Sequence, residues 1–290
     1  MNVFDAYAQV LHSVRSDVCE LDKSVQRTIL ALGILVAIST VLDMNALDDS
    51  ETGVFVWDID NIDSTVPAWK RAALYANSIG SFAGIMYMIL MSYRKYSTFF
   101  WGMMNNLVYL PFTLAYGYLG DAQLALFFIV TQWIGVTMWK NQMNADHTVN
   151  VAAMNNWKMY VYIVAMASGL TAFFYWEIPM FSNALVGEYI FGEGFTPGRC
   201  IDALTKSMSV TAHILVFWRC NAIWFLWIFS NIGQLIMYSG AVGLHRNINV
   251  MVMFTVFTYY SVKGCISWVR LRNQYGRSPS HDSSEDVTLY

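Results

Sequence analysis

The stretch FWRCNAIWFLWIFSN, residues 217–231, is apolar enough for hydrocarbon, yet it carries an arginine near its start and closes on an amide. On a helix turning about 100° per residue, Trp224, Trp227 and Asn231 share one face, and Gln234 and Tyr238 extend it. An amide in lipid is costly unless something hydrogen-bonds it. A second stretch, SYRKYSTFFWGMMNN at 92–106, answers the first. Shifted by 125 positions, Arg94 meets Arg219 and Asn106 meets Asn231. After a gap of four the register becomes 129, and Phe128, Gly135 and Trp139 meet Phe257, Gly264 and Trp268. An ordered set of matches at a near-constant offset points to internal duplication.

Duplication decides the architecture. Only 13% of the 290 residues are charged, against about 25% in soluble domains, and 56% are hydrophobic. Apolar runs close to the ~20 residues that span a bilayer recur along the chain. The fold class is therefore an all-α polytopic membrane protein of about eight transmembrane helices. They are expected at 25–42, 73–93, 97–118, 122–139, 157–176, 203–218, 221–240 and 247–269. The repeat units are three helices each, 73–139 and 201–270. Three is odd, so a direct fusion would invert the second unit; the linking helix at 157–176 restores its orientation. The halves are then parallel repeats about an axis along the membrane normal. Transporters built this way bind substrate near the midplane, at the repeat interface.

The remaining segments frame that bundle. Residues 1–24 place Phe4, Tyr7, Leu11, Val14, Val18 and Leu21 on one stripe. They form either an interfacial amphipathic helix or an amphipathic helix packed on the rest of the protein. The 25–42 span is an accessory transmembrane helix outside the repeat. The 43–72 segment is acidic, 140–200 is a connector, and 271–290 is a polar, Ser-rich tail expected to be disordered. Lys and Arg concentrate in the segments that lie inside when the N-terminus is inside. That bias puts both termini in the cytoplasm and the acidic segment outside. The net charge of −3 implies no nucleic-acid partner. Cys19, Cys200, Cys220 and Cys265 form neither a disulfide framework nor a zinc site. No metal-ligand spacing, triad or phosphate loop is present, so neither an enzyme nor a cofactor is expected.

The polar face defines a candidate site. In the first unit the equivalent face is Phe99, Gly102, Asn106, Tyr109 and Thr113, with Asn105 beside it; Gln132, Gly135 and Trp139 follow on the third helix. Together the faces would enclose a cavity of amides and aromatic planes without carboxylates. Amides bind hydroxyls and carboxamides, and tryptophan faces stack on flat rings and attract cations. That suits a small, flat, cationic solute bearing a sugar. The candidate contacts are Asn105, Asn106, Gln132, Trp139, Trp224, Trp227, Asn231, Gln234 and Tyr238, with Trp227 expected to stack on the ring. The structural alternatives are specific too. Intramembrane Asn and Gln tie helices together, the two glycines allow close packing, and Trp139 and Trp268 can be headgroup-belt residues. No Asp or Glu occupies the middle of a span, and His213 is the single proton-relay candidate, so transport is expected to be uncoupled. Asp202 and Lys206 form an i,i+4 pair near the outer helix end. Lys263, in the last helix, supports a rival of another class: a retinal-binding photoreceptor or pump with a Schiff base on that lysine. The alternative for Lys263 is snorkelling to the inner surface.

Taken together these residues resemble the PnuC-type vitamin transporters, bacterial carriers of nicotinamide riboside (vitamin B3). The resemblance spans roughly 73–270. It rests on WGMMNN with Asn105 and Asn106, on FFIVTQWIGVTMW with Gly135 and Trp139, and on Asp202 and LTKSMSVTA leading to Arg219. It rests above all on W-x2-W-x3-N at Trp224, Trp227 and Asn231, followed by Gly264 and Trp268. It implies a fold like a full-length SWEET protein, with three helices, then one, then three. It also implies a homotrimer in the bacterial inner membrane, surrounded by lipid. The implied activity is facilitated diffusion of nicotinamide riboside, trapped inside by phosphorylation and feeding NAD biosynthesis. Relatives that carry riboflavin or thiamine leave the vitamin itself open.

Overall fold

Each apolar run becomes a helix in the computed structural model, which describes residues 3–41, 67–144, 148–151, 157–192, 194–243, 246 and 248–275. The helices are α1 (Val3–Cys19), α2 (Lys23–Val41), α3 (Ala68–Ser92), α4 (Thr98–Ala115), α5 (Leu119–Lys140), α6 (Trp157–Val186), α7 (Pro197–Phe217), α8 (Ile223–Tyr238) and α9 (Ile248–Tyr275). By length and composition α5, α6, α7 and the Val250–Leu271 stretch of α9 can each cross a membrane; Ala76–Ser92 and Ile223–Tyr238 are shorter apolar helices. Most of the acidic segment expected at 43–72, and the tail beyond Tyr275, lie outside the described residues.

Four boundaries differ from expectation by five residues or more; the first is α3, which starts at Ala68 rather than 73. Helix α7 starts at Pro197, earlier than the expected 203, because Thr196 caps it and accepts from the Arg199 amide, with Pro197 at the first helical position. Arg199, outside the expected 203–218 span, is buried. Its guanidinium lies 4.1 Å from the Tyr175 ring and donates to the Tyr175 and Gly194 carbonyls. Helix α6 continues past 176 through Pro179 to Val186, where Glu177 accepts from Gln123 of α5 at 2.6 Å. Helix α9 runs to Tyr275, past the start of the expected tail at 271.

The packing closes a ring. Within the first triplet α3 packs on α4 and α4 on α5; within the second α7 packs on α8 and α8 on α9. The triplets join twice, α5 against α7 and α9 against α3. Helix α6 lies outside on α7, and α2 lies on α3. Helix α1 packs on α5 and α4. Its buried side chains are Ala6, Val10 and Asp17, followed by Leu21 just past the helix. Of the expected stripe Tyr7, Val14 and Val18 are half-buried and Leu11 is exposed, and the Tyr7 and Trp133 rings are 4.5 Å apart. Asp17 accepts from the Ser97 amide at 2.8 Å, which satisfies a free donor at the start of α4. Of the two readings of residues 1–24, packing on the bundle is therefore present.

The two triplets share details at the offsets read from the sequence. Helices α3 and α7 end 125 residues apart, α4 and α8 begin 125 apart, and α5 and α9 begin 129 apart. The turns after α3 and α7 each hold an arginine in the left-handed region, Arg94 at φ 61° and Arg219 at φ 55°. Such angles are uncommon outside glycine. Both turns are closed alike: Lys95 N donates to Leu90 O, and Cys220 N to Leu215 O. Both arginines then reach the connector, at the Val149 and Asn150 carbonyls, each at 3.2 Å. In the first triplet Phe99 meets Trp139 edge to face at 5.0 Å and 88°; in the second Trp224 meets Trp268 at 5.3 Å and 85°. Gly135 lies under the Phe99 ring and Gly264 under the Trp224 ring, where any Cβ would collide. The paired glycines are packing residues.

Candidate functional site: a cavity enclosed by the two triplets

At the centre of the ring is a cavity of about 670 Å³, its open part included, with walls drawn from α3, α4, α5, α7, α8 and α9. Asn105, Asn106 and Tyr109 of α4 face Trp227, Ser230, Asn231 and Gln234 of α8 across it, and α5 contributes Asp121, Phe128 and Gln132. Phe128 and Phe257, counterparts in the alignment, both line it. Helical spacing explains the α8 set: Trp227, Asn231 and Gln234 are three and four residues apart, so they stand on one face. Phe225, Phe229 and Ile232, off that face, are exposed on the outside of the bundle.

Several wall atoms are buried and unpaired. The Gln132 and Gln234 carbonyl oxygens, the Trp227 indole nitrogen and the Tyr87 hydroxyl have no hydrogen-bond partner among the described residues. Buried polar atoms are almost always paired, and these four, carried by lining residues of α3, α5 and α8, are open to a solute or water. Other amides are partly committed. Asn105 donates to the Gly80 carbonyl at 2.8 Å, Asn106 to Gly102 on its own helix, and Asn231 to Ser261 of α9 at 3.2 Å. Asn105 and Asn231 thus tie helices together as well as lining the wall, and each amide keeps a carbonyl oxygen to offer.

Of the nine candidate contacts, Asn105, Asn106, Gln132, Trp227, Asn231 and Gln234 line this cavity. Tyr238 stands at its edge, with its hydroxyl 3.3 Å from that of Tyr109. Two expectations are corrected. Trp139 is fully buried, donates to the Val216 carbonyl at 2.8 Å and braces Phe99. Trp224 is equally buried against Trp268 and Gly264. Both rings are consumed in packing behind the wall, one turn away from the residues that line it. Their burial also removes Trp139 and Trp268 from a headgroup belt.

A further correction concerns charge. The cavity was expected to lack carboxylates, yet Asp121 lines it. Asp121 lies in the first turn of α5, where the helix end favours a negative charge. Lys206 Nζ is 2.6 Å from Asp121 Oδ1 and 3.2 Å from Asp202 Oδ1, and all three side chains are buried. Gln234 and Tyr238 also donate to Asp121, at 3.2 and 3.1 Å, and Tyr189 donates to Asp202 at 2.9 Å. Burial first, and the Asp202 charge second, hold the Tyr189 hydroxyl well above the usual phenol range, which keeps it a donor. A second, smaller cavity lies beyond this cluster, lined by Tyr118, Asp121, Tyr189, Asp202 and Tyr238. The sequence offered one signal for the triad: Asp202 and Lys206 at i,i+4. Asp121, 85 residues away from Lys206, became their partner only through the α5–α7 contact.

Two other candidates stand away from the cavity wall. His213 is enclosed by Phe127, Phe128 and Phe217, 4.3 Å from the Phe128 ring, and neither ring nitrogen has a partner among the described residues. Lys263 donates to the Tyr93 hydroxyl at 2.9 Å and lies over the Tyr93 and Tyr260 rings. Its ammonium is held at the α3–α4 turn, the placement expected of a snorkelling lysine. Among the described residues no cluster of His, Cys, Asp and Glu could hold a metal.

Comparison with known proteins agrees with this geometry. The profile of the nicotinamide mononucleotide transporter family matches residues 74–270. The nicotinamide riboside transporter PnuC of Haemophilus influenzae is 25% identical over 199 residues, 67% of this chain and 78% of that protein. The PnuC of Neisseria mucosa is 22% identical over 204 residues, 67% and 72% of the two chains. A crystal structure of the vitamin B3 transporter PnuC superposes with a TM-score of 0.57 at 18% identity, covering 76% of this chain and 87% of that one, which establishes a common fold.

Proposed function

The chain belongs to the nicotinamide mononucleotide transporter family, and on that premise we propose that it carries nicotinamide riboside across the membrane by facilitated diffusion. Membership of a transporter family, together with several membrane-length helices, makes it a multi-pass membrane protein. The observation that carries the substrate reading is the central cavity, with aromatic rings and four unpaired buried polar atoms among its lining residues. The pyridinium ring stacks on Trp227 beside Phe128, and the ribose hydroxyls and carboxamide pair with Gln132, Asn231 and Gln234.

The wall also favours the riboside over the mononucleotide of the family's description. Asp121 is the one charged side chain among its described lining residues. A phosphate carrying about −1.5 to −2 charge would find no free cation there and one carboxylate. Riboflavin and thiamine are the competing vitamins.

We take the two triplets as products of duplication, with eight spans arranged as an accessory helix and a 3+1+3 SWEET-like bundle. The shared helix offsets, twin arginine turns and ring-on-glycine pairs support this. The bacterial inner membrane, cytoplasmic termini, a homotrimer and trapping of the riboside by intracellular phosphorylation complete the proposal. Helix α1 is proposed to lie at the inner interface with its exposed face to the headgroups.

Calorimetric titration of purified protein with nicotinamide riboside, nicotinamide mononucleotide, riboflavin and thiamine tests the substrate. Binding of the riboside alone is expected. Preferential binding of either other vitamin, or of the mononucleotide, overturns the assignment. Uptake into proteoliposomes is expected to persist when proton and sodium gradients are collapsed; its disappearance refutes facilitated diffusion.

A further inference from the structure

The buried charges beside the cavity do not balance. Asp121, Asp202 and Lys206 are 4%, 4% and 1% exposed, and their formal charges leave one negative charge over. Among the described residues every other donor to the two carboxylates is neutral: Gln234 and Tyr238 to Asp121, and Tyr189 to Asp202. The other cation on α7, Arg199, spends its guanidinium on the Tyr175 and Gly194 carbonyls and the Tyr175 ring. An uncompensated buried charge is unfavourable, and the interior offers little screening. Towards the central cavity the imbalance opens through Asp121, the one residue of the three that lines it; Asp121 and Asp202 both line the smaller cavity beyond.

Part of what else faces that space has the same sign, beside the Trp227 indole N–H and the Tyr87 hydroxyl, which donate. The Gln132 and Gln234 carbonyl oxygens are buried without partners, and both residues line the cavity. The Trp227 and Phe128 rings present faces that attract cations. We infer that Asp121 is a specificity residue for a positively charged ring, whose charge completes the balance that Asp121, Asp202 and Lys206 leave open. Lys206 bridges the two carboxylates, 2.6 Å from Asp121 and 3.2 Å from Asp202, so the triad as a whole presents one net negative charge beside the solute. A neutral molecule of the same shape leaves the imbalance and binds less well. This deepens the riboside reading and rests on it.

The test compares nicotinamide riboside with its neutral C-nucleoside isostere, a carbamoylphenyl ring on the same ribose, by calorimetry on the full chain. Tighter binding of the cation is expected, on the order of tenfold to 100-fold. The upper figure corresponds to two unit charges about 6 Å apart at an effective dielectric of about 20. In Asp121→Asn the ratio of the two affinities is expected to fall towards one. Asp202→Asn, which neutralises the triad without altering the wall, is expected to reduce the ratio as well, and decides the matter if Asp121→Asn does not fold. Equal binding of cation and isostere by the unaltered protein overturns the inference and leaves the riboside site standing. An undiminished ratio in either folded variant overturns it too. Binding of neither compound refutes the riboside reading itself.

Discussion

Replacing Gly264 by alanine tests the packing behind the cavity. A Cβ at this position would lie 2.6 Å from Cη2 and Cζ2 of Trp224 and 2.7 Å from Cε2. Carbon atoms rest about 3.5–4.0 Å apart, so the ring or the helix must retreat by roughly 1 Å. Trp224 has no free side: it is fully buried and held edge-on by Trp268 at 5.3 Å. Overpacking of this kind costs about 1–3 kcal/mol, while alanine recovers up to ~1 kcal/mol of helix propensity over glycine. A net loss of about 1–2 kcal/mol is expected, a fall of a few degrees in thermal unfolding of the detergent-solubilised protein. Gly33→Ala is the control, because its Cβ would meet Phe82 at an ordinary 3.5 Å; it should be neutral or stabilising. Trp224→Phe removes the colliding ring atoms, so the double variant Gly264→Ala/Trp224→Phe should be more stable than the sum of its parts predicts. If Gly264→Ala and Gly33→Ala shift unfolding equally, Gly264 is not a packing constraint and the reasoning fails.

Trp227→Ala should weaken riboside binding by about tenfold or more, the worth of a desolvated ring stacked on a cation, while thermal unfolding changes little; normal affinity would remove Trp227 from the site. Trp139→Phe should do the opposite, lowering stability by about 1 kcal/mol through loss of the bond to Val216 and leaving affinity within twofold or so. Lys206→Met leaves two buried carboxylates facing each other, so a loss of about 3–5 kcal/mol is expected, recovered when Asp121→Asn and Asp202→Asn are added. Lys263→Met should retain riboside binding, and the unaltered protein should show no visible absorption band; a retinal band lost on that substitution would revive the photoreceptor reading.

What could be read in the sequence was periodic. Every helix followed from apolar runs, and the face holding Trp227, Asn231 and Gln234 followed from spacings of three and four. The depth of a ring within that face did not. Trp224 and Trp227 share a face at helical spacing, yet one turn separates a ring facing the cavity from a ring locked against Trp268. Depth depends on what the next helix brings, here Gly264 of α9, and no spacing within α8 carries that. Asp121 was misjudged for a related reason. At a helix end it looks solvated, and only the contact between α5 and α7 supplies Lys206 and makes a buried position tolerable. Arg199 lay outside the expected 203–218 span, since the Tyr175 and Gly194 carbonyls that receive it lie elsewhere in the chain.

Halves that arise by duplication need not stay alike. Asp121, in the first turn of α5, has the buried Val250 of α9 as its counterpart at the offset of 129. A cavity between two identical halves would hold an elongated molecule equally well either way round. With Asp121 on the cavity wall and Val250 at the equivalent position of the second half, the proposed site distinguishes head from tail. On the proposed function, the orientation in which ring and sugar lie follows from how the halves diverged, on a frame that by itself would be indifferent to it.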